Sequence, residues 1–311
     1  MTVNRFGEVC GDNPSLTPDE RRTYVGAGFS RIFGVRQSAK ASRKQIIGTS
    51  CDLPQRVKDA PSPTRIYTEA CLSELIPHYC PENAVIIDIG CGPGDHYDWF
   101  KKANRSGRYI GIDVKKHSRW RGSPPDAPLS KELVLAQCED LDMPDMRSNF
   151  SMSSSALEHV EDEKAAIARV AAHTEPGAFG LHIVPSSAAF LLYGYHGWRY
   201  YSPSTLQKVF ESSGYRVVDI VKFGGLPSYL LHFLWIGVLE TAMVWRLLLD
   251  LLPDNSVTRF LKKSVHQIRY RGARRNKVFK SIYGQLLRIS LRLDPYIPIP
   301  AHGYAAIVQR I

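Results

Sequence analysis

The pattern of hydrophobic and polar positions divides the chain into four segments. The first 60 or so residues show no sustained hydrophobic period and are interrupted by five prolines. From residue 84, short apolar runs alternate with helical patterns, as expected where buried strands alternate with helices. A long Leu-rich stretch of helical composition then precedes one last apolar run. We therefore predict an N-terminal arm or lid at 1–64, one domain at 65–224 and 303–311, and a helical insertion at 225–302.

Seven apolar runs have the length and composition of strands. Because strands and helices alternate, we predict an α/β fold: a seven-stranded, mostly parallel sheet with helices on both faces and a helical insertion before the last strand. The predicted strands are Ala84–Ile89, Arg108–Asp113, Glu132–Gln137, Phe150–Ser155, Ala178–Val184, Arg216–Val221 and Gly303–Ile311. The clearest helices are predicted at His96–Ala103, at Glu161–His173 and from Ser202-Pro203 to near Gly214.

Three glycines follow the first predicted strand, in the stretch Asp88-Ile-Gly-Cys-Gly-Pro-Gly94. Glycines at such a turn let the backbone approach a ligand closely. The dinucleotide fingerprint needs a different spacing, G-x-G-x-x-G. A second acid, Asp113, ends the next strand, where it can bind a ribose diol. From these residues alone, redox chemistry with NAD and methyl transfer both remain open.

The order of three motifs resembles the class I S-adenosylmethionine-dependent methyltransferases, in particular the small-molecule (type 11-like) branch. The motifs are the glycine turn after Asp88, the ribose acid Asp113, and the segment 154–160, Ser-Ser-Ala-Leu-Glu-His-Val. The resemblance covers about residues 65–224 plus the last strand, and it implies that this strand is antiparallel. It implies S-adenosylmethionine as cofactor, held by Asp88, Gly90, Gly92, Gly94, Asp113, Val114, Gln137, Cys138 and Ser155. Gln137 stands where the family usually has an acid near the adenine, with Asp140 as the alternative.

Two histidines are candidate general bases, which methyl transfer needs only when the acceptor is a hydroxyl or a protonated amine. His159 follows the fourth strand, although a backbone-bonded histidine at a helix entry would look the same. His196 lies in an aromatic loop after the fifth strand, for which the alternative interpretation is a loop that merely covers the sheet edge. As substrate contacts we predict Tyr195, Trp198, Arg199, Tyr200 and Tyr201 from this loop. The acidic run around Glu158 is interpreted as a solvated first helical turn.

Charge is concentrated in one part of the chain. The net charge is +10, yet residues 255–293 hold eleven Lys or Arg and no acid, while the remainder has 29 basic and 30 acidic residues. This distribution indicates a local anionic partner. Six cysteines without metal-ligand spacing predict a reducing, cytoplasmic environment and no metal site.

The insertion contains an apolar stretch, residues 228–252, directly before these cations. Its internal charges argue against a membrane span. An apolar helix followed by a basic amphipathic one suits an anionic membrane surface, so we expect a peripheral location at the inner membrane surface. A helical cap or a dimer interface is an equally weighted interpretation.

We predict an S-adenosylmethionine-dependent methyltransferase that O-methylates a saccharide or a lipid-linked small molecule. The acceptor class comes from a weaker resemblance of residues 196–203 and of the insertion to members associated with glycans and lipid-linked saccharides. Two alternatives stay open: an RNA methyltransferase that uses residues 255–293, and an inactive binding module with the same fold. We rank nucleic acid below lipid or glycan because no RNA-binding module is evident.

Overall fold

The structure, a computed structural model, contains one eight-stranded sheet. It describes residues 19, 22–23, 25–26, 42–45, 61–141, 147–194, 197, 199–240, 243–253, 255–267 and 277–311. The strands are β1 (Ser42–Gln45), β2 (Asn83–Ile89), β3 (Ser106–Asp113), β4 (Leu129–Leu135), β5 (Ser148–Ser154), β6 (Thr174–Pro185), β7 (Tyr215–Phe223) and β8 (Gly303–Arg310).

The strand order is β1-β7-β8-β6-β5-β2-β3-β4. Every pairing is parallel except those of β8 with β6 and β7, as the resemblance implied. All seven predicted strands are present, which confirms the fold class. The additional strand, β1, pairs with β7 at the edge and comes from the predicted N-terminal arm. Its sequence, Ser-Arg-Lys-Gln, has no apolar residue and therefore carries no strand signal.

Helices cover both faces of the sheet. The helix predicted from Ser202 is capped there, because Ser202 Oγ accepts from the Thr205 amide. The helix predicted from Glu161 begins at Glu163, after the cap in which Asp162 Oδ1 accepts from the Ala165 amide. Within the main domain lie α1 (Pro63–Tyr79), α2 (Tyr97–Lys102), α3 (Glu163–Ala172), α4 (Phe190–Tyr193) and α5 (Pro203–Glu211). The insertion consists of α6 (Leu226–Leu231), a π-helix (His232–Glu240), α7 (Met243–Leu251), α8 (Ser256–Gln267) and α9 (Lys277–Leu293).

The insertion is part of the core of the protein. Tyr283, Leu287 and Leu291 of α9 are buried in the same apolar cluster as residues of α1, α2 and the sheet. The Trp235 ring lies 5.3 Å from that of Tyr283. Each fully buried side chain of this size contributes about 1.5–3 kcal/mol to stability. This packing favours the cap interpretation for the inner side of α9.

The opposite face of the sheet carries a second apolar cluster, which includes residues of α3 and α5. Both clusters meet the carboxyl ends of the parallel strands, where β2 lies between β5 and β3. In such sheets the ligand crevice forms at this point, because the chain leaves β2 toward β3 and leaves the neighbouring β5 toward β6, in the opposite direction. Among the described residues, none of the helices is long and apolar enough to cross a membrane.

Candidate active site

A cavity of about 530 Å³ opens at the carboxyl ends of β2, β3 and β5. This volume lies within the range of small-molecule and cofactor sites. Seven of the nine predicted cofactor residues line it: Gly90, Gly92, Asp113, Val114, Gln137, Cys138 and Ser155. The sequence motifs therefore converge on one site.

The turn after β2 requires glycine. Gly90 and Gly92 have φ angles of +63° and +54°, in the left-handed region that favours glycine. A Cβ on Gly90 would lie 2.5 Å from Ala156 Cβ, so no side chain fits there. The Gly92 carbonyl accepts a hydrogen bond of 2.7 Å from Trp120 Nε1. The turn thus presents bare backbone to the cavity.

Asp113 connects the end of β3 to this turn. Its Oδ2 accepts a hydrogen bond of 2.8 Å from the Gly92 amide, and its Oδ1 accepts one of 2.9 Å from the Lys115 amide. These bonds fix the carboxylate at the cavity wall. The placement agrees with the expected ribose contact.

Asp88 and Gly94, the other two predicted cofactor residues, do not line the cavity. Asp88 is fully buried behind the turn, where its Oδ2 accepts from the Tyr109 hydroxyl and lies 2.8 Å from His96 Nδ1. Burial lowers the pKa of His96, but the charge of Asp88 and the hydrogen bond outweigh it and raise that pKa above its ordinary value. Gly94 (φ +80°) packs against the Lys131 side chain. We correct the expected direct contacts accordingly: both residues support the turn from behind.

The adenine end of the predicted site lies after β4. Gln137 is exposed at the cavity wall, whereas Asp140, the alternative, does not line it. Neighbouring Cys138 is buried, and burial raises the pKa of its thiol to about 12, so the thiol stays protonated and apolar. Gln137 is therefore better placed than Asp140 for a contact with the base.

The segment after β5 forms the opposite wall. Ser155 has a φ of +50°, unusual for a residue with a side chain, and its amide donates to the Ile183 carbonyl at 2.9 Å. His159 follows in a short 3₁₀ turn, is exposed, and lines the cavity. Its position is compatible with the predicted role as a base.

The aromatic loop is only partly described. Tyr195, His196 and Trp198 lie outside the described residues. Arg199 is buried and donates hydrogen bonds of 2.7 Å to the carbonyls of Val160 and Glu161. It also lies 3.3 Å from the Glu163 carboxylate.

Tyr200 and Tyr201 are buried as well. The Tyr200 hydroxyl donates to the Gly194 carbonyl at 2.7 Å, and the Tyr201 hydroxyl donates to Glu163. The prediction that Arg199 and these two tyrosines contact substrate therefore needs correction. Their polar groups bind the protein itself and hold the 3₁₀ turn and α3 to the loop.

The burial of Glu158 was not predicted from the sequence. It looks like the first of several solvated acids, yet it is only 1% exposed. It lines a second, smaller cavity of about 120 Å³ together with Thr64, Tyr193 and His302. Ser155 lines both cavities, so the two are neighbours.

The charge of the larger cavity favours one of the two cofactor classes left open above. Its wall contains the carboxylates of Asp113, Glu139 and Glu161, and none of its described lining residues is Lys or Arg. These carboxylates would repel a pyrophosphate, whereas they would stabilise a sulfonium and an ammonium.

Residues 86–177 match a family model described as a methyltransferase domain. The chain is therefore similar, over this segment, to the class I S-adenosylmethionine-dependent methyltransferases. It is an enzyme, and S-adenosylmethionine is its cofactor. The matched segment runs from β2 into β6 and includes the glycine turn, Asp113 and the segment after β5.

Three solved methyltransferases illustrate how distant the structural relatives are. One from Archaeoglobus fulgidus is 16% identical, with a TM-score of 0.47 over 82% of this chain and 98% of that one. One from Mesorhizobium loti is 13% identical, with a TM-score of 0.45 over 78% and 98%. The Burkholderia thailandensis 1,6-didemethyltoxoflavin-N1-methyltransferase, with its substrate and S-adenosylhomocysteine bound, is 16% identical, with a TM-score of 0.39 over 68% and 85%. No curated protein matches the chain.

Proposed function

We propose that this methyltransferase transfers a methyl group to a hydroxyl of a small molecule, a saccharide or a lipid-linked compound, at the surface of an anionic membrane. The observation that carries the proposal is the cavity of about 530 Å³ with its bare glycine turn, its three carboxylates and no described cation in its wall. Bound S-adenosylmethionine supplies a methyl group activated by a sulfonium. Catalysis then rests largely on placing the acceptor in line and excluding water.

Each wall of the cavity suits one part of the cofactor. The Asp113 carboxylate suits the ribose diol, and the Gln137 amide suits the adenine. The backbone at Gly90 and Gly92 suits the methionine end. Ser155 and His159 on the opposite wall lie on the side from which an acceptor would approach.

The outer face of α9 supports the membrane part of the proposal. Its exposed apolar side chains recur every three or four residues: Val278, Ile282, Leu286, Ile289 and Leu293 are 40–66% exposed. Lys277, Lys280, Arg288 and Arg292 lie on the same helix. Apolar side chains that enter the lipid and cations that meet the headgroups are the features of a helix lying on an anionic bilayer. RNA would make use of the cations but not of this apolar stripe.

Vesicle flotation tests the membrane part. We expect binding to vesicles that contain anionic lipid and little binding to neutral ones. Ile289→Asp, on the apolar stripe, should reduce binding much more than Gln285→Asp, which adds the same charge at an exposed polar position of α9. Equal binding by both variants, or wild-type binding that ignores lipid charge, would contradict this part.

The acceptor class is tested with tritiated S-adenosylmethionine and whole-cell extract separated into lipid, RNA, protein and small-molecule fractions. We expect label in the lipid or the small-molecule fraction. Label confined to RNA would replace this proposal by the RNA alternative. An enzyme that binds cofactor and labels nothing would support the inactive-module alternative.

A further inference from the structure

The second cavity lies where three distant parts of the chain meet. Thr64 comes from the first turn of α1, Glu158 from the turn after β5, and His302 from the residue that precedes β8. The cavity of about 120 Å³ adjoins the cofactor cavity at Ser155, whose left-handed backbone turns the chain between them. Its position therefore places it beside, and not inside, the cofactor site.

Hydrogen bonds fix the polar groups of this cavity. Thr64 Oγ1 lies 2.9 Å from His302 Nδ1 and 3.3 Å from His232 Nδ1. His302 Nε2 lies 2.9 Å from Ser228 Oγ, so both ring nitrogens of His302 are bonded. Ser228 and His232 belong to α6 and the π-helix, which means that the insertion holds this wall in place.

The histidine and the tyrosine of the wall are uncharged at neutral pH. Burial, with a smaller contribution from His232, lowers the pKa of His302 well below its ordinary value. Burial raises the pKa of Tyr193 to about 12, and the charge of Glu158 adds to that increase. Around the cavity there is thus one carboxylate, from Glu158, among neutral hydroxyl and imidazole groups. None of its described lining residues is Lys or Arg.

The Glu158 carboxylate among neutral groups disfavours anionic ligands and favours ligands that donate a hydrogen bond. A carboxylate or phosphate on the ligand would be repelled by the Glu158 carboxylate in a wall whose described residues include no Lys or Arg. A hydroxyl or an amine can donate a hydrogen bond to that carboxylate, and charge-assisted bonds of this kind are the strong ones. The other side of the cavity is apolar, formed by Ile183, Val184 and Phe223.

The volume sets the size of the ligand. A cavity of roughly 150 Å³ holds one benzene molecule, and this one measures about 120 Å³. It is therefore smaller than a cavity that holds one six-membered ring, so it accommodates a short branched fragment, and the rest of the acceptor would extend outward from it.

We propose that this second cavity is the acceptor subsite, that it takes a hydroxyl- or amine-bearing fragment smaller than a six-membered ring, and that Glu158 accepts the acceptor's proton. The inference rests on the proposed function. In the step, the bond from sulfur to the methyl carbon breaks, and its electron pair stays on sulfur. The acceptor oxygen or nitrogen forms the new bond to the methyl carbon, and its proton passes to the Glu158 carboxylate and then to solvent.

The insertion gains a role from this assignment. Because Ser228 and His232 bond to His302 and Thr64, the helical cap shapes the subsite, and none of its described residues lines the cofactor cavity. The predicted bases His159 and His196 then need not carry the proton.

The test compares two variants with matched controls in the tritiated transfer assay, using the extract fraction that the wild type labels. Glu158→Gln removes the charge at nearly constant shape, and we expect its labelling rate to fall at least 100-fold, the lower range for a general base. Thr68→Phe fills the cavity from α1 and should also abolish labelling. Glu175→Gln, an exposed acid, and Ser73→Phe, at an exposed position of α1, should label at close to the wild-type rate.

Titration calorimetry with S-adenosylhomocysteine on the same proteins distinguishes a wrong subsite from a wrong proposed function. We expect cofactor affinity within about threefold of wild type for all four variants. Labelling by Glu158→Gln and Thr68→Phe at the wild-type rate would overturn the subsite while leaving the proposed function intact. Loss of cofactor binding in either variant, with an unchanged melting temperature, would also overturn it, because the cavity would then belong to the cofactor site. A wild type that binds no S-adenosylhomocysteine would refute the proposed function itself.

Discussion

The two cavities are neighbours, yet they are built in opposite ways. The cofactor cavity is formed by consecutive strand ends within residues 86–177, and its turn works through bare backbone. The second cavity is formed by side chains far apart in sequence: Thr64 lies 168 residues from His232 and 238 from His302. The first follows from the sheet topology that the family shares, whereas the second depends on the insertion. In the proposed assignment, the strand ends therefore bind the cofactor and the insertion shapes the acceptor subsite.

The largest expected effect is on the glycine turn. Gly90→Ala places a Cβ 2.5 Å from Ala156 Cβ, so the turn must shift, and we expect cofactor binding to be lost in calorimetry. Gly177→Ala is the matched control, because Gly177 also has a positive φ, of +83°, but open space around it. That control should lose only about 1–2 kcal/mol of stability and bind cofactor normally. Normal binding by Gly90→Ala would show that the backbone does not form the site.

The next effect concerns the insertion as part of the core. Leu287 is fully buried and Leu286 is 40% exposed on the same helix. We expect Leu287→Ala to lower the free energy of unfolding by about 2–5 kcal/mol and Leu286→Ala by less than about 0.5 kcal/mol. Chemical denaturation measures both. Equal, small losses would mean that the insertion is attached loosely to the sheet and cannot shape a subsite.

Asp113→Asn tests the polar end of the cofactor cavity. Hydrogen bonds to a charged group contribute about 1.5–3 kcal/mol, so we expect the Kd for S-adenosylhomocysteine to rise at least tenfold. Glu132→Gln, on the neighbouring strand in an exposed ion pair with Arg108, is the control and should leave the Kd unchanged. An unchanged Kd in Asp113→Asn would remove this residue from the site.

The smallest effect is on the pH dependence of stability. Burial lowers the pKa of His182 to about 3, and that of His302 well below its ordinary value. Below about pH 6.5 the unfolded chain binds protons at these histidines while the folded protein does not. Stability is therefore lost as the pH falls, by up to about 1.4 kcal/mol per pH unit for each histidine. In denaturation at pH 7 and pH 5, His182→Gln should reduce this loss, and the exposed His78→Gln should not. An identical loss in both variants would contradict the assignment.

The cofactor cavity, which is formed by segments close together in sequence, could largely be predicted from the sequence. The strand predicted at Ala84–Ile89 is observed at Asn83–Ile89. It could be predicted because a parallel strand that is buried on both faces consists of consecutive apolar residues. The positions of Gly90, Gly92 and Asp113 follow from that strand and the next one. Each of these features is local.

The errors concern features that are not local. Asp88 lies next to the turn in sequence, but its side chain faces Tyr109 and His96 behind it, and the motif alone does not reveal that direction. The apolar stretch 228–252 does not form a continuous α-helix, because a π-helix occupies residues 232–240. The burial of Glu158 and the bond between Thr64 and His302 depend on tertiary packing, which no spacing rule encodes.

The most direct test of the central claim is to titrate the purified full-length protein with S-adenosylhomocysteine and, separately, with NAD in a calorimeter. We predict one saturable site for S-adenosylhomocysteine and no heat of binding for NAD, because the cavity presents carboxylates and no described cation to its ligand. Saturable binding of NAD in the absence of any response to S-adenosylhomocysteine would contradict the account.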